Sequence, residues 1–285
     1  MSSSAIIDLT GISQSFPSSL DYEIQRENVW NTTSALFRGG AEIIFIEGDE
    51  GLGKTTLMAQ LARKDPYKSF TLFVKSASRF TYDTENLRFD LSNQITWLLD
   101  MKELGDPADA DESYWKNIVL RLHRQARRKN EIYYFIIDGL AELPDEAAKT
   151  RGNLLDMLPL GMTQFRFILS GDAAVFPEAQ RKRLKYKSLV LSPFILDETY
   201  KFFGGLNVSR EEIEQIHRTC NGIPGHLASI RRLVASGTGA GQIIDEAFDK
   251  LPDLFELEWR KTDPDNNVQK LILAVLAFDK KRHTI

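Results

Sequence analysis

The chain has 285 residues, 42% hydrophobic and 27% charged, an ordinary globular composition that excludes fibrous and disordered classes and suits one large domain, or one domain with a smaller helical partner. A formal net charge of −4 gives no whole-protein attraction to nucleic acid or anionic membrane, and the one cysteine, Cys220, excludes an internal disulfide and fits a reducing, cytoplasmic setting. The N-terminus lacks the basic and apolar regions of a secretory signal, and the longest apolar stretch, 271–278, is far shorter than the ~18–20 residues that span a bilayer.

Residues 1–22 are Ser-rich and weakly patterned and are expected to form a surface leader without assigned function. A helix is predicted from Glu23 to Phe37, and the RGGAE turn leads into a strand, Ile43–Glu47. A glycine-rich turn follows, then a helix from Lys54 to Arg63 that ends before Asp65-Pro66, because proline disfavours helical geometry in the residue ahead of it. Residues 70–76 read as a second strand, and helices are expected over 86–101 and 112–129. In the latter, Trp115, Ile118, Val119, Leu122 and Ala126 form a stripe along one face. Residues 132–138 form an unbroken apolar run, as in a parallel strand buried on both faces, and FRFILSG and KSLVLS complete five strand candidates. Helical segments separate most of them, which predicts an α/β class with a mostly parallel sheet.

From Asp197 onward the pattern is helical only. Ser209 and Glu212 form a capping box, so a helix is expected from Arg210 to about Asn221-Gly222. Further helices are predicted near 224–234, 241–250 and 267–278.

GDEGLGKT, Gly48 to Thr55, matches the Walker A pattern between a strand and a helix. Gly48, Gly51 and Gly53 let the backbone approach an anion, so that amides of the loop, including those of Asp49, Glu50 and Leu52, can wrap phosphates. The helix start, with Thr56 in its first turn, adds unsatisfied donors and a positive dipole end. Lys54 can reach the β- and γ-phosphate oxygens, and the Thr55 hydroxyl can ligate magnesium. A phosphate cradle also needs a carboxylate at the C-terminal end of a neighbouring strand, and Asp138 closes the third strand there. Glu142, four residues on, is the candidate to orient or deprotonate attacking water, because Gly139 beside Asp138 has no side chain.

Walker A, the strand IYYFIIDGLAEL, the later strand FRFILSG and CNGIPGHLASI in a helical region occur in the order shown by STAND NTPases, the signalling ATPases that include NACHT and NB-ARC proteins. The resemblance covers about residues 23–280 and implies a P-loop NTPase three-layer core over 23–194 and a helical, lid-like domain over 195–262. Residues 263–285 then resemble the start of a winged-helix domain, so that the chain is the nucleotide-binding core of a longer protein with a sensor region downstream. IIDGLAEL resembles the NACHT-type Walker B, with Ala141 in place of the first paired acid and Glu142 matching the second. Pro224 matches the proline that packs on adenine, and Arg26-Glu27 resembles the opening R-E element. Relatives carry a γ-phosphate-sensing arginine where this chain has Gly171. The resemblance implies ATP/ADP and Mg²⁺ as cofactors, slow hydrolysis, and self-association of the full-length protein on exchange of ADP for ATP.

Two basic runs, 121–129 and 180–187, read as solvated faces, since the first sits in the last turns of a helix, where cations suit the negative dipole end, and is interrupted by the apolar stripe, and the second has Tyr186 as its one aromatic; nucleic acid is not an expected partner. The four histidines show no metal-ligand spacing, and Trp97 and Trp115 are expected in the core. Three other readings are carried forward: an ADP-binding scaffold that does not hydrolyse ATP, a DNA-linked AAA+ ATPase, whose second acid usually follows the first directly, and a small-molecule kinase.

Overall fold

The computed structural model describes residues 8–20, 22–75, 83–143 and 148–247. They divide between Ser192 and Pro193 into two compact units.

The first unit is built on five parallel strands, β1 (Ile43–Glu47), β2 (Ser69–Phe73), β3 (Tyr133–Asp138), β4 (Phe165–Ser170) and β5 (Tyr186–Val190). Their order across the sheet is β2-β3-β4-β1-β5. Helices α1 (Leu9–Ile12), α2 (Glu27–Arg38), α3 (Lys54–Lys64), α4 (Thr84–Asp100), α5 (Glu112–Lys129), α6 (Ala148–Met157) and α7 (Glu178–Arg181) connect and cover the strands. Parallel strands need such crossovers, which is why strand and helix alternate along the chain.

Each strand contributes alternate residues to opposite faces. On one face Phe70, Phe135 and Phe167 stack across β2, β3 and β4 with ring centroids 5.2 and 5.3 Å apart. They share a core with Trp97 of α4, Trp115, Ile118 and Leu122 of α5, and Leu154 of α6. The intervening residues Ile44, Ile136 and Ile168 are equally buried and face the opposite side, where α3 buries Leu57, Met58 and Leu61. The α5 stripe read from the sequence is the buried face of that helix, and both tryptophans are core residues.

Two expectations are corrected. The segment 8–20, expected at the surface, sends Leu9 and Ile12 into the core while residues 18–20 stay exposed, and Leu9 N donates to Pro66 O at 3.2 Å. Ser13 Oγ donates to Thr71 O at 3.3 Å and Ser15 Oγ accepts from Phe73 N at 3.0 Å, so this segment satisfies the free edge of β2. Gln94 of α4 does the same, accepting from Thr71 N at 2.8 Å and donating to Thr71 O at 2.9 Å. An edge strand needs such cover against pairing with another chain. Second, α2 begins at Glu27 rather than Glu23; Glu23 instead forms a half-buried ion pair with Arg63 at 2.8 Å. Here a tertiary charge partner outweighs the four residues of helix propensity.

The second unit is helical throughout its described residues, with α8 (Leu196–Phe202), α9 (Arg210–Thr219), α10 (Pro224–Ala235) and α11 (Ala240–Ala247). The capping box at α9 is formed: Glu212 N donates to Ser209 Oγ at 3.2 Å and Ser209 N to Glu212 Oε2 at 2.8 Å. Cys220 ends this helix, and burial pushes its thiol up to about 12, leaving no reactive thiolate at neutral pH. The helix expected over 267–278, the winged-helix-like start over 263–285 and the end of the helical region from 248 lie outside the described residues.

Candidate phosphate and magnesium site

Strand order determines where a ligand can sit. The connection from β1 leaves toward β2 on one side, and that from β4 leaves toward β5 on the other, although β1 and β4 are neighbours. Such a switch point opens a crevice at the C-terminal ends of the strands. The glycine-rich turn after β1, Asp138 at the end of β3 and Ser170 at the end of β4 all lie at that end.

The turn follows from its residues. Gly48, Gly51 and Gly53 have φ of 149°, 80° and 84°, values that a side chain would strain, and Gly53 caps α3 in the left-handed conformation. Leu52 is buried, while Asp49, Glu50 and Gly51 are exposed. Lys54 Nζ donates to Gly48 O at 2.9 Å and Asp49 O at 3.1 Å, which places the ammonium beside the loop backbone with its third N–H left for an anion. Thr56 follows in the first turn of α3.

Thr55 Oγ1 donates to Asp138 Oδ2 at 2.5 Å, although β4 separates β1, which leads through the loop to Thr55 in α3, from β3, which carries Asp138. Asp138 is 4% exposed, and its other oxygen, Oδ1, is buried with no hydrogen-bond partner among the described residues. A buried carboxylate oxygen without a donor is costly unless a cation or water meets it. Hydroxyl and carboxylate oxygens are the hard donors that magnesium takes, with nucleotide oxygens and waters completing its shell. Among the described residues no group of three or more His, Cys, Asp or Glu could hold a metal by itself. The residues present therefore fit a nucleotide-borne magnesium rather than an all-protein cage.

Ser170 was not singled out in the sequence, although it closes an apolar strand in the way that Asp138 closes β3. Its hydroxyl is buried and accepts from Gly139 N at 2.9 Å, tying the end of β4 to the turn after Asp138. Gly139 has φ of 83°, and a Cβ there would stand 2.1 Å from Val74 O. A second acid directly after Asp138 is thus sterically excluded. Gly171, where an arginine sensor was sought, has φ of 99°, and a Cβ would come within 2.7 Å of the Ala141 Cβ. The two departures from the sequence pattern, Ala141 and Gly171, face one another, so an arginine at 171 has no room without displacing Ala141.

Glu142 ends a short 3-10 turn, Leu140–Glu142, immediately after this site; its side chain lies outside the described atoms. Arg26 caps α2 through its backbone, its carbonyl accepting from Val29 N at 3.0 Å. Pro224 opens α10 of the second unit at the first helical position, where its missing N–H removes nothing from the helix. Ahead of it, Gly222 O accepts from Phe194 N at 2.8 Å. The structure brings together Gly48, Asp49, Lys54, Thr55 and Asp138.

The chain matches no protein-family model and no curated protein sequence. Among solved structures it is similar to a Walker-type ATPase of Pyrococcus abyssi, with 15% identity over 86% of this chain and 79% of that one and a TM-score of 0.57. Weaker likenesses include the ORC2 protein of Aeropyrum pernix, 14% identical over 92% of this chain and 74% of that one with a TM-score of 0.49. The RuvB Holliday junction branch migration motor of Thermotoga maritima is 16% identical over 82% of this chain and 72% of that one, with a TM-score of 0.39. With the parallel five-stranded sheet, the glycine loop between β1 and α3, and the likeness to the Pyrococcus ATPase, the fold is that of the P-loop NTPases.

Proposed function

We propose that the chain is an ATP/ADP-binding switch module that hydrolyses ATP slowly. The observation that carries this reading is the apposition of the Thr55 hydroxyl and the partly unsatisfied Asp138 carboxylate beside a lysine-bearing phosphate loop. Amides of Gly48–Thr55 would surround the β- and γ-phosphates, and Lys54 would exchange its loop carbonyls for phosphate oxygens. Thr55 and Asp138 would hold magnesium, which would supply positive charge to offset that of the phosphates. Glu142 would orient the water, and Pro224 would pack on adenine, as the STAND resemblance implies.

The steric exclusion at Gly139 supports a STAND-type site over a DNA-linked AAA+ site, since the water-handling acid has to come from further along the chain. ADP would hold the inactive state and ATP the active, self-associating one, provided the two nucleotides differ in affinity for the two states. The test is single-turnover hydrolysis of radiolabelled ATP by the intact chain, compared with Glu142→Gln. Turnover that falls by about 10²–10⁴-fold while ADP binding persists supports the reading.

A second reading rests on the closed Ala141–Gly171 contact, which leaves no room for a γ-phosphate-sensing arginine at position 171, directly after β4. On that reading ADP is a structural ligand, and the intact chain shows no turnover above the Glu142→Gln background.

A further inference from the structure

The C-terminal half of α5 carries Arg121, Arg124, Arg127, Arg128 and Lys129 within nine residues and no acid. With five of the chain's 36 basic residues here and none of its 40 acidic ones, the remainder is left with a formal charge of −9. The apolar stripe of α5 is buried, which turns the arginines outward, and all five cations are exposed. Arg121, Arg124, Arg127 and Arg128 line a groove of about 700 Å³, together with Gln125 and with Leu99 of α4.

Complementing the helix dipole does not account for this cluster. That effect is confined to the last turn, which includes Arg127, Arg128 and Lys129 but neither Arg121 nor Arg124. Arg121–Arg124, Arg124–Arg127 and Arg124–Arg128 are like-charge pairs at helical neighbour spacing, each unfavourable to the helix. Arg121 is fixed by a two-pronged contact to Asp100 at 2.7 and 3.1 Å, which holds that carboxyl below its ordinary range. Arg124, Arg127, Arg128 and Lys129 make no side-chain hydrogen bond or ion pair among the described residues. In the second basic run two of the five cations are paired, Lys182 with Glu178 and Lys185 with Glu42, against one of five in the α5 cluster.

We propose that the groove between the C-terminal ends of α4 and α5 binds the phosphodiester backbone of a nucleic acid. The sequence pattern alone assigns these residues to a solvated face; the groove and the missing counter-charges change that assignment. Guanidinium forks match phosphate oxygens two at a time, and four of the five cations are arginine. Steps of three and four residues space them about 4.5 and 6 Å along the helix axis, so the row can follow successive phosphates. Leu99 is the one apolar lining residue and no aromatic lines the groove, which removes the anchor that a protein interface needs and the stacking platform that base recognition needs. The binding is therefore electrostatic and independent of sequence.

The test is fluorescence anisotropy of a labelled 30-bp DNA duplex, of an RNA duplex of the same length and of labelled poly-glutamate, each titrated with the full chain at 50 and 200 mM KCl. Three or four neutralised phosphates predict a loss of about 40- to 150-fold in duplex affinity between the two salts. The triple variant R124E/R127E/R128E is expected to lose more than about tenfold in duplex affinity at 50 mM KCl. If circular dichroism shows that this variant is unfolded, R124Q/R127Q/R128Q, which removes charge without reversing it, is read instead. Binding of either duplex that is lost in the folded variant supports the proposal, and the DNA and RNA arms identify the nucleic acid. Failure of both duplexes to bind at 50 mM KCl overturns it, as does equal binding by the folded variant, or poly-glutamate bound as tightly as duplex at equal charge. None of these outcomes depends on nucleotide binding at the phosphate loop.

Discussion

Thr55 and Asp138 are 83 positions apart in the chain and meet through one hydrogen bond, so the chemistry of the site depends on residues that sequence proximity does not pair. Each has a distinct predicted signature. Saturating Mg-ADP at about 100 times Kd should stabilise the intact chain by about 2.7 kcal/mol, a melting shift of roughly 5–10 °C. Lys54→Ala should abolish most of that shift in a thermal melt, because the cradle loses its only lysine. Asp138→Asn should leave a shift that no longer differs between magnesium and EDTA, since an amide cannot replace the anionic ligand. Asp90 is a separate case, remote from the phosphates in role: it accepts from Gln94 Nε2 at 2.8 Å, from Gln14 N at 3.2 Å and from Ser15 Oγ at 3.2 Å. Burial raises its carboxyl from an ordinary 3.8 to about 6, against the lowering effect of these donors. A raised folded-state value means that the folded protein binds the proton more tightly, so this contribution grows as pH falls through about 6 and is complete below 3.8. Relative to Asp90→Asn, the unmodified chain should therefore gain stability between pH 7.5 and 4.5, by at most about 3 kcal/mol, measured by urea denaturation at each pH.

Elements meet the site through their ends. The C-terminal end of β2 presses Val74 O against Gly139, and Ser170 at the end of β4 accepts from Gly139 N on the other side. Gly139→Ala should cost on the order of 2–4 kcal/mol, from a positive φ and a Cβ with no space, read as a lower urea midpoint. The opposite, free edge of β2 is held by Ser13, Ser15 and Gln94, none of which a pattern search would connect to a strand. Strand and helix identities were legible because apolar runs and helical stripes are local: β1, α5 and the cap of α9 were all read correctly from spacing alone. The start of α2 and the place of residues 8–20 were not legible, because Glu23 answers to Arg63 and Leu9 to the core, both set by distant residues.

Across the whole molecule, the net value of −4 hides local concentrations of charge: the last nine residues of α5 hold five cations and no acid, while the rest of the chain sums to a formal −9. Net charge alone spoke against nucleic acid; the local groove speaks for it. No helix among the described residues is long and apolar enough to cross a membrane. The order of the five strands is the other property that belongs to the whole, since it sets β4 between the two strands that carry the phosphate loop and Asp138.

By itself the sequence determined the phosphate loop, the strand-terminal acid, the α/β class and the helical second region, because each is written in residues close together along the chain or in a short-range period. Only the tertiary structure decided that Thr55 meets Asp138, that Gly139 and Gly171 can carry no side chain, that Ser170 belongs to the site, and that four arginines share a groove. These depend on close approaches between strands and helices far apart in the chain, which local spacing does not encode.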